Sequence, residues 1–375
     1  MTTTAPTKVL ILTAGFGDGH NTAAKNLALA LREKGADVLV DDPCAVAAPR
    51  LNRNLQKFYR YVTTHSPELW HQIYLSTERQ DFSRRNVPFM RKPEAHVHEL
   101  LREWKPDAVV STYPLYPYFC ARAQSPPPSF TVITDSIHIN AAWRKAPCDH
   151  FLVTDETTRQ SLLSAGLKEL HVTTTGFPVH TDFAQLASLP PSEATLPFRV
   201  LYFPTSKKPE VRRHMRAILR ASPQVQLTVV LGRNTRTLHR RAKEVQLESP
   251  DRVKLLGWTT QVPQLLSQHH LVIGKAGGAT VHEAIAACCP MLISHLVPGQ
   301  EEGNLKLLQQ IGAGQLTQTE NEITVAIQGL LKADGSEWRQ QKHNLAKHTK
   351  PNAASKAASF ILRKIEQSLS RNTEN

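Results

Sequence analysis

Short apolar runs alternate with amphipathic stretches along the first half of the chain. Val9–Leu12 is typical of a buried strand, a glycine-rich turn follows it, and residues 22–34 have the spacing of an amphipathic helix. Further strand-like runs lie at residues 36–40, 108–111, 130–134 and 150–154. Strands that alternate with helices predict a parallel sheet with crossover helices. Residues 50–105 interrupt this order with a helical, aromatic and basic pattern that prolines divide into pieces.

The same alternation begins again after a proline-rich stretch at residues 185–198. Strand-like runs follow at residues 199–203, 226–231, 253–256, 271–273 and 291–294, and a last helical pattern covers residues 353–369. A chain of 375 residues is too long for one ordinary core. The pattern therefore predicts an α/β protein of two doubly wound, Rossmann-like domains. The predicted division is residues 1–184, a linker at 185–198, a second domain at 199–350, and a C-terminal helix with a polar tail at 351–375.

Charge and composition narrow the function classes. The formal net charge is +13, of which +2 lies in residues 1–185 and +11 in residues 186–375. This excess suits a phosphorylated ligand, an anionic membrane surface or nucleic acid. No zinc finger, RNA-recognition signature or basic helix-turn-helix pattern is present, so we expect no nucleic-acid partner. No apolar run approaches the length that spans a bilayer, no secretory signal is recognised, and the five scattered cysteines are typical of reduced thiols in a cytoplasmic protein.

The first chemical signal is the glycine-rich turn that ends in His20. Gly17 and Gly19 let the chain turn sharply and leave room for a ligand beside a helix N-terminus. The Asp18 carboxylate stands where a phosphate would approach, which argues against a dinucleotide fingerprint. A histidine at the carboxyl end of a parallel strand can remove a proton from an acceptor hydroxyl. The same position also suits a helix-capping or simply exposed histidine.

A second cluster, residues 134–138, follows another predicted strand. Asp135 can orient a histidine or contact an acceptor, and Trp143 a few residues later can pack on a ring or an acyl chain. A turn with an aspartate cap explains the same residues equally well.

A donor-phosphate site is predicted in the second half, after the strand at residues 271–273. Backbone amides of Gly277 and Gly278 at a helix N-terminus form an anion site, and Thr280 adds a hydroxyl. Glu283 lies three residues further on, which predicts a place in the first helical turn where its carboxylate accepts hydrogen bonds from a ribose diol. The Gly-Lys-Ser/Thr ending of a P-loop is absent from the sequence. A purely structural glycine turn is the alternative.

Residues 297–304 follow the next strand and are rich in amide and carboxylate groups. Gln300, Glu301 and Asn304 suit the hydroxyls of a hexose, particularly beside the preceding phosphate turn. On its own, the segment is equally typical of a solvated loop with a helix cap.

These blocks together resemble the monogalactosyldiacylglycerol synthase and processive diacylglycerol glucosyltransferase family, which is related to the lipid II-forming N-acetylglucosaminyltransferase. The similarity runs from about Lys8 to about Gly314. The motifs that carry it are Gly17-Asp18-Gly19-His20-Asn21, Thr134-Asp135 with Trp143, Thr175-Gly176-Phe177-Pro178-Val179, Leu231-Gly232-Arg233-Asn234, Leu256-Gly257-Trp258, Lys275-Ala276-Gly277-Gly278-Ala279-Thr280 with Glu283, and Pro298-Gly299-Gln300-Glu301-Glu302-Gly303-Asn304. The resemblance implies the GT-B fold, with the active site in the cleft between the domains and the C-terminal helix crossing back to the first domain.

The resemblance also implies an inverting transfer from a UDP-sugar, with His20 as the general base and Asp135 as its catalytic neighbour. The donor-binding residues that it implies are Gly232, Arg233, Asn234, Trp258, Lys275, Gly277, Gly278, Thr280, Glu283, Gln300, Glu301 and Asn304. Those implied for the acceptor or the membrane are Gly17, Gly19, Phe58, Tyr59, Arg84, Arg85 and Trp143. No cofactor and no metal ion is expected. Asp18 replaces a glycine that is more usual there, and residues 204–208 lack the glycines that relatives often have near the diphosphate.

The resulting prediction is a UDP-sugar-dependent hexosyltransferase that makes a glycolipid, with diacylglycerol as the acceptor, on the inner face of the cell membrane. A polyprenyl-linked or soluble glycan acceptor, a 2-epimerase of UDP-N-acetylglucosamine, and a non-catalytic module that binds sugar nucleotides or anionic lipids remain open. The sequence leaves the transferred sugar, processivity and oligomeric state undecided.

Overall fold

A computed structural model describes residues 5–80, 82, 88–190, 196–205 and 208–373. The chain divides into two compact units. The first contains residues 1–181, 298–303 and 352–375, and the second contains residues 182–297 and 304–351. The chain therefore passes from the first unit to the second, returns to the first at residues 298–303, and enters the first unit again at residue 352.

The first unit is built on a parallel sheet in the order β2-β1-β3-β4-β5-β6. The strands are β1 (Lys8–Leu12), β2 (Asp37–Asp41), β3 (Ala108–Ser111), β4 (Ser129–Val132), β5 (His150–Val153) and β6 (Val172–Thr174). Helices cover both faces of a sheet of this kind, which is why its strands are nearly continuous apolar runs. The order reverses at β1, where the crossover connections turn to opposite sides. The carboxyl ends of β1 and β3 therefore mark the topological switch point of this sheet.

The helices of the first unit pack on both faces of this sheet. They are α1 (Asp18–Glu33), α2 (Pro43–Ala47), α3 (Pro49–His65), α4 (Pro67–Glu78), α5 (Arg91–Trp104), α6 (Tyr116–Ala121), α7 (Ala141–Arg144), α8 (Glu156–Ser164) and α15 (Ala353–Thr373). One face of the core joins α1 to α15 through side chains such as Leu27, Leu31 and Ile361. The predicted return of the C-terminal helix to the first domain is confirmed by this packing.

The second unit has its own parallel sheet, in the order β12-β11-β10-β7-β8-β9. Its strands are β7 (Phe198–Tyr202), β8 (Val225–Val230), β9 (Val253–Leu256), β10 (Leu271–Lys275), β11 (Met291–His295) and β12 (Gly314–Leu316). Its helices are α9 (Lys208–Arg220), α10 (Thr235–Glu248), α11 (Val262–Gln268), α12 (Gly278–Ala286), α13 (Glu302–Ile311) and α14 (Glu320–His348), of which α14 is interrupted at residues 332–335. The switch point here lies between β7 and β10.

The predicted fold class, two doubly wound α/β halves, is confirmed. The sequence did not predict the strands Val172–Thr174 and Gly314–Leu316, because a segment of three residues is too short to show a clear periodicity. The first helix begins at Asp18 rather than at residue 22, so the end of the glycine-rich turn is already helical. Within the described part of the chain, no helix is both long and apolar enough to cross a membrane.

Candidate functional site

His20 lies in the first turn of α1, at the switch point of the first sheet. Its Nδ1 is 3.1 Å from the Thr134 hydroxyl, which follows β4, and the carbonyl of Thr112, which follows β3, also bonds to the ring. Three loops at the carboxyl edge of the sheet therefore hold this one imidazole. Gly17 precedes the helix with φ 149°, a conformation that favours glycine, and so permits the sharp entry into α1.

Aromatic rings surround His20. The Tyr113 ring meets it edge-on with centroids 5.4 Å apart, and the Trp143 ring lies 6.0 Å away. Burial in this setting disfavours the imidazolium and lowers the pKa of His20 to about 4, although the Thr112 carbonyl opposes the shift. The ring is therefore neutral at pH 7. A neutral imidazole is the form that a general base requires.

Asp135 and Trp143 form a hydrogen-bonded pair next to His20. The indole Nε1 of Trp143 donates to Asp135 Oδ2 at 3.0 Å, and the tryptophan is buried. The pair fixes the indole plane that faces the histidine. The Nδ1 contact of His20 is made by Thr134, the residue immediately before Asp135.

The predicted anion site of the second unit lies at the N-terminus of α12. Gly277 is the N-cap residue with extended backbone angles, and Gly278 and Thr280 lie in the first turn. The amide groups of this turn have no carbonyl partner inside the helix, and the helix dipole adds positive potential. The turn lies directly after β10, at the switch point of the second sheet, which is where doubly wound sheets bind ligands.

Glu283 lies in the second turn of α12 rather than in the first, where the sequence predicts it. Burial raises the pKa of its carboxyl group to about 8, and no nearby charge contributes to the shift. No hydrogen-bond partner for this carboxyl group is found among the residues that the structure describes. A half-buried, unpaired carboxyl group beside an anion site is suited to accept the hydroxyls of a sugar.

Asn304 holds the turn before α12 in place. The residue is buried, and its Nδ2 donates to the carbonyl of Ala276 at 3.0 Å, directly before the N-cap Gly277. The amide of Ala276 donates to the His295 carbonyl at 3.2 Å. These two bonds fix both sides of the turn. Asn304 thus positions the turn before α12, and the donor contact predicted for it stays a prediction.

Residues 298–303 belong to the first unit, although β11 before them and most of α13 after them belong to the second. Gln300 accepts a hydrogen bond from the Tyr59 hydroxyl at 3.2 Å, and Tyr59 in turn meets the Trp70 ring edge-on. Glu301 is buried. A Cβ atom on Gly303 would lie 1.8 Å from the Ser136 carbonyl oxygen, so no other residue fits there.

The remaining predicted donor residues line the carboxyl edge of the second sheet. Gly232 starts a short 3₁₀ turn after β8 with φ 57°, and Arg233 beside it is exposed; Asn234 ends the turn. Trp258 follows β9 and is 61% exposed, which leaves its ring available for stacking. Lys275 ends β10, immediately before the phosphate turn, and is also exposed.

The predicted acceptor and membrane residues are distributed over the first unit. Added Cβ atoms on Gly17 or Gly19 would meet no described atom within 4 Å, so the turn before His20 has open space on that side. Phe58 is 51% exposed on α3, whereas Tyr59 points towards Gln300. Arg84 and Arg85 lie outside the described residues.

Several residues of the His20 environment are absent from the sequence prediction. Tyr113 and Thr112 follow β3, and no motif marks them; only the order of strands in the sheet brings them to His20. Asp42 is a second example, because its carboxylate accepts the amide of Gly15 at 3.0 Å and fixes the glycine-rich turn. Within the described ranges, no group of three or more His, Cys, Asp or Glu side chains is placed to hold a metal ion.

Two α/β units of this topology, with the C-terminal helix in the first, define the GT-B class of glycosyltransferase folds. MurG from Acinetobacter baumannii matches with a TM-score of 0.63 at 16% identity, covering 96% of this chain and 100% of that one. MnaA from S. aureus, solved with UDP, also gives a TM-score of 0.63, at 15% identity and with 98% and 97% coverage. At these identities the likeness establishes the fold.

Sequence comparison is more specific. The family model described as monogalactosyldiacylglycerol (MGDG) synthase matches residues 20–179. A processive diacylglycerol β-glucosyltransferase from Bacillus pumilus (strain SAFR-032) is 25% identical over 353 residues, which is 90% of each chain. The predicted resemblance to this family of glycolipid-forming enzymes is thereby confirmed.

Proposed function

We propose that this chain is an inverting glycosyltransferase that moves a hexose from a UDP-sugar to the free hydroxyl of diacylglycerol. One observation carries the proposal. A neutral imidazole, His20, stands at the carboxyl edge of the first sheet in a chain similar over nine-tenths of its length to a diacylglycerol β-glucosyltransferase. Family resemblance supplies the substrate class, and the environment of His20 supplies the base that the chemistry needs.

In the proposed reaction, His20 takes the proton of the acceptor hydroxyl while the hydroxyl oxygen attacks the anomeric carbon. The new glycosidic C–O bond forms on the face opposite the bond to phosphate, which breaks, so the configuration inverts and UDP leaves. The Trp143–Asp135 pair packs beside His20 and keeps the imidazole oriented. A low pKa makes His20 a weak base in the resting state, but it also ensures that the ring is deprotonated when the acceptor arrives.

The UDP part of the donor is bound by the second unit. Amides of the α12 N-terminus, with the Thr280 hydroxyl, bind the diphosphate and stabilise the charge that develops on it. Glu283 binds the ribose, and Trp258 lies beside the uracil. Gln300 and Glu301 bind the hexose. This scheme uses no metal ion, because the helix terminus supplies the positive potential.

The acceptor is a membrane lipid, and α3 offers a surface suited to reach it. Arg50, Arg53, Lys57, Phe58 and Tyr61 are all exposed, and their spacing places them along one side of the helix. Basic side chains attract anionic headgroups, and exposed rings such as Tyr61 insert at the headgroup level. We therefore place the protein as a peripheral enzyme on the inner face of the cell membrane.

UDP release from a panel of UDP-sugars, with and without diacylglycerol in anionic vesicles, tests the proposal. Release with one UDP-hexose only when diacylglycerol is present supports it. Release that is indifferent to diacylglycerol indicates a soluble acceptor or donor hydrolysis, and UDP binding without release from any donor indicates a binding module. Either result contradicts the proposed function.

The membrane surface is tested separately by vesicle flotation. Lys57→Glu combined with Arg53→Glu reverses the charge of the α3 face and should release the protein from anionic vesicles at low salt. Lys168→Glu, an exposed position after α8, is the matched control. Equal binding by the α3 variant and the wild type would rule this surface out.

A further inference from the structure

Tyr59 lies on the inner side of α3, opposite the basic side of this helix. Asn52 and Thr63, which share the inner side at helical spacing, are buried. Arg53 and Lys57 on the other side are exposed, and Tyr59 itself is half-buried. The sequence assigns Tyr59 to the acceptor or membrane surface, but its inward position indicates a different role.

The Tyr59 ring is held in place by Trp70 of α4. The two ring centroids are 4.9 Å apart and the ring planes meet at 81°, an edge-to-face arrangement that aromatic pairs favour. Because α3 ends at His65 and α4 begins at Pro67, the two rings come from consecutive helices joined by a single residue. A tyrosine side chain has only two torsions, so a packed ring also fixes the position of its hydroxyl oxygen.

The loop that carries Gln300 packs tightly in the first unit at both of its ends. A Cβ atom on Gly299 would lie 2.7 Å from the Tyr74 ring, and one on Gly303 would lie 1.8 Å from the Ser136 carbonyl oxygen. Only glycine allows the backbone to approach its neighbours so closely. The loop and α3 belong to the same compact unit. This unit therefore fixes the backbone on both sides of Gln300, and only the side chain of Gln300 remains to be oriented.

The Tyr59 hydroxyl orients the side-chain amide of Gln300. It donates a hydrogen bond to Gln300 Oε1 at 3.2 Å. The two ends of the amide are not equivalent, because Oε1 only accepts hydrogen bonds and Nε2 only donates them. With Oε1 bound to Tyr59, the Nε2 group is left for a ligand, and it has no hydrogen-bond partner among the residues that the structure describes. A sugar hydroxyl beside Gln300 therefore meets N–H donors rather than a carbonyl oxygen.

A fixed amide can distinguish hexoses that differ in the configuration of one hydroxyl. An amide that turns freely offers a donor or an acceptor in the same place, and so it accommodates either configuration. A site with fixed hydrogen-bonding groups rejects a ligand that leaves one of them unpaired.

We propose that Tyr59 is a positioning residue that determines, through Gln300, which UDP-hexose the enzyme uses. The inference rests on the proposed function, which assigns Gln300 to the hexose of the donor. UDP alone carries no hexose, so its binding does not depend on the Tyr59 hydroxyl. The effect of Tyr59 is therefore expected in the choice between donors and not in the affinity for UDP.

The test compares kcat/KM for UDP-glucose with kcat/KM for UDP-galactose, two donors that differ only in the configuration of one hydroxyl, with diacylglycerol in anionic vesicles as the acceptor. Tyr59→Phe keeps the ring against Trp70 and removes the hydroxyl. We expect it to lower the ratio of the preferred donor to the other about fivefold, which corresponds to one neutral hydrogen bond, and to leave the Kd of UDP unchanged. Tyr118→Phe is the matched control, because it removes another tyrosine hydroxyl of the first unit, which donates to the Ala142 carbonyl at 3.3 Å. It should keep the wild-type ratio.

A second measurement shows whether Tyr59 acts through Gln300. In a Gln300→Ala background, Tyr59→Phe should change the ratio no further, because the amide that it orients is gone. A fivefold effect of Tyr59→Phe in this background would overturn the inference.

An unchanged ratio in Tyr59→Phe overturns the inference, as does an equal fall in Tyr118→Phe. A fall in the ratio that is accompanied by weaker UDP binding overturns it too, because the substitution would then disturb the protein more widely. A wild-type enzyme that uses both donors equally well contradicts the inference and leaves the proposed function intact. A wild-type enzyme that transfers neither hexose to diacylglycerol removes the proposed function itself. The two failures are therefore distinguishable in one set of assays.

Discussion

The protonation of Glu283 leads to a quantitative prediction about UDP binding. Burial raises the pKa of this carboxyl group to about 8 in the free protein, so roughly nine-tenths of it is protonated at pH 7. Binding to both ribose hydroxyls requires the carboxylate, which only accepts hydrogen bonds. Because the deprotonated fraction rises as the pH passes through the folded pKa, UDP binding should strengthen with pH and release a proton at pH 7.

The expected change follows from the ionised fraction. Raising the pH from 7 to 8.5 increases the carboxylate fraction about eightfold, equivalent to roughly 1.2 kcal/mol of binding free energy. Both pH values lie above the second pKa of a phosphate, about 6, so the diphosphate contributes little to the change. Glu283→Gln keeps the size of the side chain and removes the titration. Its UDP affinity should be weaker at pH 8.5 and nearly constant across this range.

Isothermal titration calorimetry measures both the UDP affinity and the number of protons released on binding. Dissociation constants at the two pH values give the slope, and titrations in two buffers of different ionisation enthalpy give the number of protons released. Wild-type affinity that does not change between pH 7 and 8.5 would refute the reasoning. An equal pH dependence in Glu283→Gln would refute it as well, because the titrating group would then lie elsewhere.

Three further predictions concern the base, the phosphate turn and the C-terminal helix. His20→Ala should lower kcat by about 10²- to 10⁴-fold. In the wild type, kcat/KM for the acceptor, measured at saturating donor, should decrease with falling pH only near a pKa of about 4. A decrease centred near pH 6.5 would contradict the burial of this ring. Asn304→Ala leaves the buried Ala276 carbonyl without this donor, which should destabilise the second unit by about 1–3 kcal/mol in urea unfolding. It should also weaken UDP binding, measured by calorimetry; unchanged affinity would show that the turn holds its shape alone. Ile361→Ala should lower the free energy of unfolding of the first unit by about 2–5 kcal/mol, measured in urea. Leu369 is 51% exposed on the same helix, and Leu369→Ala should change this free energy by less than about 0.5 kcal/mol. Equal effects would contradict the packing of α15 in this core.

The environment of His20 explains why its protonation state depends on tertiary packing. The glycine-rich turn fixes only the position of the histidine at the start of α1. The Tyr113 ring comes from the loop after β3 and the Trp143 ring from α7, and both rings exclude water from the imidazole. A chain with the same turn but no aromatic neighbours would hold a histidine of ordinary pKa, and the acid limb of its activity would move accordingly.

Local sequence determines much of this protein. Short apolar runs marked ten of the twelve strands in the part of the chain that the structure describes, because a strand buried on both faces must be apolar along its length. Gly277 and Gly278 marked the turn from β10 into α12, because glycine is common where a chain turns sharply from a strand into a helix. The sequence also predicts the basic side of α3, because helical spacing alone places Arg53 and Lys57 on one side of the helix.

Other features were decided by tertiary structure alone. Periodicity carries no information on which strands pair, so the meeting of Thr112 and Thr134 at His20 depends on the order β1-β3-β4. Asn304 follows a polar loop, and the sequence gives no sign that its amide donates to the Ala276 carbonyl, because that bond joins two segments that only the packing of the second unit brings together. Ile137 has a left-handed backbone conformation that no sequence pattern predicts. A β-branched residue does not prefer this conformation, so the surrounding structure imposes it. Sequence specifies what each segment can form; the packing of distant segments decides which side chains meet and what their ionisation becomes.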